Sequence, residues 1–251
     1  MATSQSPSRP EIASGGPVLS VVPPVGWRGP LAALVRKDVQ LELRTKQTAI
    51  GMGLFALVAM VIFQFAIGSR TDDATPFAAG IIWATVALTA VLAVSRAWAA
   101  EREGRTIDAL LAAPVGRGVL LSAKAVSIFL YLLALEILVV PLAILFFVES
   151  TAITDLAIVF GLCVLANIAL ATLGALVASL AAFTRGRELL VPALFLPAIV
   201  PVLIAAAGGT FSVLGGTDDI AELRGYSLLL AGCAVVFGLV AYATYEFVFD
   251  D

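Results

Sequence analysis

"EREGRTIDALLAAPVGRGVLLSAK", residues 101–124, is the longest polar interruption in the chain. It sets Arg102, Arg105, Arg117 and Lys124 beside Glu101, Glu103 and Asp108, around an apolar cluster of Ile107, Leu110 and Leu111. An apolar run at 77–98 precedes it and another at 122–148 follows. About 20 apolar residues suffice to span hydrocarbon as a helix. The stretch therefore reads as a charged loop joining two membrane spans, and it sets the register for the rest of the chain.

Further apolar segments lie at 49–68, 155–183, 189–208 and 225–248, giving six spans in all. Composition agrees. The chain has 251 residues, 61% of them hydrophobic and 13% charged, with a mean hydropathy of +1.04. A soluble domain carries about 25% charged residues, and this much apolar surface has no aqueous cover. The spans at 122–148 and 155–183 are long enough to tilt or to extend beyond the bilayer. Pro141 lies in the third span, and Pro192, Pro197 and Pro201 predict a kinked or broken fifth.

Charge orients the bundle. Arg36, Lys37, Arg44 and Lys46 precede the first span, the arginines of 96–117 and Lys124 surround the 101–124 loop, and Arg185 and Arg187 lie between the fourth and fifth. The alternate connections hold only Arg70 and Arg224, among acids such as Asp72, Asp73, Glu149 and Asp218. By the positive-inside rule both termini are cytoplasmic.

Residues 1–30 hold six of the twelve prolines and read as a disordered cytoplasmic tail. Residues 31–47 read as an amphipathic interfacial helix. Leu31, Leu34, Val35, Val39, Leu41 and Leu43 share one broad side, and Arg36, Lys37, Gln40 and Arg44 the other. Asp38 and Glu42 interrupt the apolar arc, so each requires a basic partner; Arg96, Arg102 and Arg105 are the candidates for a brace. Residues 48–251 form the six-span domain.

Several chemistries are excluded. The three lysines, Lys37, Lys46 and Lys124, do not follow a glycine, so no GxxxxGK[ST] phosphate loop exists and the chain is not an ATPase by itself. There is no histidine, which removes the commonest general base, metal ligand and haem ligand. Cys163 and Cys233 sit in apolar runs without metal spacing. Glu136, in "YLLALEILVVPLA", is the most informative intramembrane polar residue. A carboxylate at that depth costs about 2.5–3.5 kcal/mol, so it either lines a pathway or pairs with a cation, or stays protonated and bonds a neighbouring helix. Asn167 reads as an interhelical hydrogen-bonding residue.

Within the loop, Gly104 reads as a helix stop and Thr106 as the cap of a new short helix. Ile107, Leu110 and Leu111 share a face of it, and Pro114 ends it. The product is an apolar knob framed by charge, suited to a soluble partner.

Together, the basic amphipathic start, the six spans and the pattern at Glu103, Gly104, Leu110, Leu111, Pro114, Arg117 and Lys124 resemble the CcmB family. These are the membrane subunits of the haem-exporting ABC transporter of cytochrome c maturation. "ELLVPALFLPAIVPVLI", residues 188–204, strengthens the likeness, which covers about residues 31–248; the loop pattern is shared with other permeases of ABC-2 type. The resemblance implies an all-α permease of that type, without catalysis of its own, in the plasma (inner) membrane. ATP would be hydrolysed by a CcmA-like subunit that grips Glu103, Gly104, Ile107, Leu110, Leu111, Pro114 and Arg117. CcmC- and CcmD-like membrane subunits and a CcmE-like haem chaperone would complete a dimeric or heteromeric assembly. Haem is then cargo or a ligand of the complex, with no cofactor or metal assigned to this chain and no nucleic acid among its partners. An ABC-2 permease for a drug, lipid or polysaccharide, and a non-transporting scaffold of a haem-handling complex, are the alternatives.

Overall fold

The computed structural model describes residues 27–67, 74–113, 115–148, 151–182, 184, 186–215 and 219–248. The tail expected over residues 1–30 thus lies almost entirely outside the described residues, as do Pro114, Arg70, Asp72, Asp73, Glu149, Arg185 and Asp218.

The chain is an all-α membrane protein. In order the helices are α1 (Arg28–Thr45), α2 (Gln47–Ile67), α3 (Thr75–Arg96), α4 (Ala99–Glu103), α5 (Ile107–Leu111), α6 (Arg117–Phe147), α7 (Ile153–Ala182), α8 (Arg187–Leu214) and α9 (Ile220–Val248). Six are long and apolar enough to cross a membrane: α2, α3 with its extension α4, α6, α7, α8 and α9.

Local chemistry accounts for the boundaries. Lys46 takes a left-handed conformation (φ 53°) and its N–H donates to the Glu42 carbonyl, ending α1. The Glu42 carboxylate then accepts from the Ala49 N–H at 2.7 Å, covering an unpaired donor at the start of α2. One residue closes both sides of the elbow. Asp219 accepts from the N–H groups of Ala221 and Glu222 and caps α9.

The central helices are α3 and α7. α3 packs on α2, α6, α7 and α8, and α7 packs on α6, α8 and α9. α2 and α9 are the least buried spans, the arrangement expected where lipid supplies the remaining contacts. Close approach needs glycine at two places. A Cβ on Gly174 of α7 would sit 2.7 Å from Val94 of α3, and one on Gly208 of α8 would sit 2.5 Å from the Tyr226 ring of α9. The buried Trp83 indole donates to the Thr210 hydroxyl at 2.9 Å, tying α3 to α8.

The fifth span departs from expectation. α8 runs unbroken through Pro192, Pro197 and Pro201 and extends to Leu214, beyond the 189–208 run. Two of the prolines avoid the packed face: Pro197 and Pro201 are exposed and Pro192 is half-buried, whereas Val191, Phe195, Ile199 and Val202 are buried. Tertiary packing along that stripe holds the helix through the lost backbone bonds, as bundles allow in membranes.

Candidate functional site

The inward face of α1 follows the helical repeat through Leu31, Leu34, Val35, Asp38 and Glu42, while Leu41 and Leu43 are exposed. The acids that interrupt the apolar arc are therefore the residues turned toward the bundle. α1 lies against α6, and a turn at residues 97–98 separates α3 from α4, whose Glu101 reaches both of them.

Four charges converge there. The Lys124 ammonium, from α6, donates to Asp38 at 3.0 Å and to Glu101 of α4 at 2.9 Å. Lys37 lies 3.1 Å from the other oxygen of Asp38 and donates to the same Glu101 oxygen. Ser127 donates to Asp38 at 3.1 Å, and the Tyr131 hydroxyl to the Asp38 backbone carbonyl at 3.3 Å. The Trp98 ring caps the cluster, its centroid 5.0 Å from the Lys124 ammonium. Its indole N–H donates to Ser179 of α7 at 3.3 Å.

Burial gives this node its energetic weight. Asp38 is 8% exposed, Glu101 2% and Lys124 4%. Charges so far from water are tolerated only when closely paired and hydrogen-bonded. Two acids against two lysines balance, so the node ties α1, α4 and α6 together without a net charge. Burial alone would depress the Lys37 pKa; the Glu101 hydrogen bond and the Asp38 and Glu101 charges outweigh it and hold the value above the usual lysine range. That lysine stays charged at every physiological pH.

The loop hangs from this node. α4 ends at Gly104, as expected, but Gly104 is right-handed (φ −77°), and the left-handed residue is Arg105 (φ 52°). The Thr106 N–H donates to the Glu101 carbonyl at 2.8 Å, and its hydroxyl donates to the same oxygen at 3.4 Å. Thr106 thus anchors the loop back onto α4, at the residue that carries the ion pairs. Glu103, Gly104 and Arg117 are exposed and Ile107 is half-buried. Leu110 is half-buried against the core, so this face of α5 is partly turned inward. The Leu111 side chain and Pro114 lie outside the described residues.

For the brace, the acceptors and donors differ from those expected. The ion pairs seen at Asp38 come from Lys37 and Lys124, in place of Arg96, Arg102 or Arg105. Glu42 meets a backbone amide rather than a cation. Arg96 lines the same polar cavity as Asp38 and Glu42, and Arg105 is exposed. The reason is the turn at residues 97–98: it brings an acid of α4, Glu101, to the node and leaves the positive charge to be supplied by α6 and α1. A signal was present. Lys124, Ser127 and Tyr131, at spacings of three and four, share one face of α6.

A second polar contact lies deep in the bundle. Asn167 of α7 donates to Glu136 of α6 at 2.6 Å, and both are fully buried. The bond from Glu136 to a neighbouring helix that one of its readings requires is present. The Cys163 thiol lies against the Glu136 carboxyl, and among the described residues the Asn167 oxygen has no partner. Among the described residues no group of three or more cysteines or carboxylates is placed to hold a metal.

Comparison with known proteins adds the following. Residues 30–248 match the family described as CcmB protein. The chain is similar to Heme exporter protein B of Rhodobacter capsulatus, with 28% identity over 216 residues, covering 85% of this chain and 96% of that protein. It is similar to Heme exporter protein B of Bradyrhizobium diazoefficiens, with 27% identity over 187 residues and coverages of 74% and 83%. The Pseudomonas aeruginosa protein of the same name shows 23% identity over 213 residues, with coverages of 82% and 94%.

Proposed function

The chain belongs to the CcmB family, and from that premise we propose that it is the membrane permease subunit of a haem-exporting ABC transporter serving cytochrome c maturation. The observation that carries this is the family match across residues 30–248, together with relatives named Heme exporter protein B that align over most of their length. The chain sits in the plasma (inner) membrane with both termini cytoplasmic, an orientation supported by its charge bias. A separate CcmA-like subunit supplies ATP hydrolysis. CcmC- and CcmD-like membrane subunits and a CcmE-like haem chaperone complete the assembly.

The geometry supports a mechanical role. ATP closes the partner subunits against the 101–117 loop, at Glu103, Gly104, Ile107, Leu110, Leu111, Pro114 and Arg117. Through Thr106 and Glu101 the loop is tied to Lys124, and through Lys124 to Asp38. A push on α5 therefore moves α4, α1 and the start of α6 as one piece. α6 carries the motion toward Glu136 and Asn167 and drives haem delivery or release of the haem-loaded chaperone.

Complementation tests the proposal. In a bacterium lacking its own haem exporter B, this chain with its cognate ATPase restores c-type cytochromes, and an ATPase-dead partner abolishes the restoration. A chain that accumulates in the membrane and restores nothing sinks the haem reading. Restoration that ignores the dead ATPase identifies a scaffold instead.

A further inference from the structure

Two neighbouring cavities lie at the elbow between α1 and α2. One, of about 320 Å³, is the more polar of the two, and its lining includes Asp38, Glu42, Arg96, Glu101, Glu103 and Lys124. The other, of about 340 Å³, is apolar and lined by Val39, Leu43, Met52, Gly53, Leu130 and Leu138. Glu42 and Tyr131 line both. A polar chamber opening beside an apolar slot, at the foot of a membrane span, has the shape of an amphiphile, and each volume falls in the range of small-ligand sites.

Charge selects the headgroup. Asp38 and Glu101 are balanced by Lys124 and Lys37. The chamber then keeps Glu42 and Glu103 against Arg96, two acids to one base. One oxygen of the buried Glu101 has no hydrogen-bond partner, and Glu101 is among the residues that line the chamber. A buried acceptor left so is costly and calls for a donor. A net anionic headgroup such as phosphatidylglycerol offers hydroxyl donors but meets surplus negative charge. A trimethylammonium brings charge without an N–H. A primary ammonium with an adjoining phosphate satisfies Glu101 and Glu42 on one side and Arg96 on the other.

We propose that this paired cavity is a binding site for an amine-headed phospholipid, phosphatidylethanolamine, its ammonium in the acidic chamber and one acyl chain in the slot walled by Gly53 and Leu138. The bound lipid fills the hinge between the interfacial helix and the first span and stiffens the ion-pair node beside it.

The test uses the full chain, purified and reconstituted into nanodiscs of phosphatidylethanolamine, phosphatidylcholine or phosphatidylglycerol, with lipid retained after detergent washing read by mass spectrometry. Hydrogen bonds to a charged group are worth about 1.5–3 kcal/mol, so phosphatidylethanolamine is retained about tenfold over the other two. Glu42→Gln brings phosphatidylcholine closer to parity. Gly53→Leu fills the slot, where the nearest atom to a Cβ is Leu138 at 4.0 Å, and abolishes retention. Ala134→Leu, on the α6 wall of the slot, does the same should Gly53→Leu fold poorly. Equal retention of the three headgroups overturns the proposal, and so does a preference that survives both slot-filling variants.

Discussion

Replacing Lys124 with methionine removes the cation shared by two buried acids while keeping the length and most of the volume of the side chain. Asp38 and Glu101 are 8% and 2% exposed, so neither recovers its hydration when the ammonium leaves. Breaking a buried pair by deleting one partner costs about 3–5 kcal/mol. Lys37 still touches both acids, and Ser127 still donates to Asp38, which keeps the cost at the low end, about 3 kcal/mol. That is roughly a hundredfold in the folded-to-unfolded ratio. Equilibrium unfolding in mixed micelles, followed by tryptophan fluorescence, measures it, and Trp98 against the Lys124 ammonium is a local reporter. The triple change Lys124→Met, Asp38→Asn and Glu101→Gln removes the stranded charges and restores most of the lost stability. A single variant that loses less than about 1 kcal/mol, the value of a surface pair, refutes the reasoning. A triple variant no better than the single one does so too.

Two further outcomes follow from the packing. Gly208→Ala places a methyl 2.5 Å from the Tyr226 ring and destabilises by about 1–3 kcal/mol; Tyr226→Ala in the same chain relieves much of that, as a double-mutant cycle by thermal unfolding will show. Glu136→Gln keeps an acceptor for the Asn167 amide and changes stability by less than about 1 kcal/mol, whereas Glu136→Leu strands that buried amide and costs about 1–3 kcal/mol; equal effects would mean the Glu136–Asn167 bond contributes nothing.

Much of the fold was readable because lipid makes composition decisive. Runs such as 125–147 allow nothing but a membrane helix once the hydrocarbon core demands internal backbone pairing. Asp38 and Glu42 were visible as acids in an apolar arc, and both turn inward. Their partners were not visible, because the pairing of Asp38 with Lys124 rests on a turn at residues 97–98 and on α1 lying across α6, which are tertiary facts. Glu101 looked like a surface charge in a charged loop, and it is among the most buried acids described. The prolines of α8 misled for a related reason. Propensity predicts a break, but packing of Phe195, Ile199 and Val202 overrides it.

The central claim is that a separate ATPase drives this chain through the 101–117 loop. Site-specific crosslinking in the reconstituted complex tests it most directly. With Cys163 and Cys233 replaced by alanine, single cysteines are placed at the exposed positions Ala109 and Ala112, and at exposed Ile153 at the start of α7. The account predicts adducts with the ATPase subunit from position 109 or 112, strengthened when ATP is trapped, and none from position 153. Adducts from position 153, or none from either loop position in a complex that still hydrolyses ATP, would contradict it.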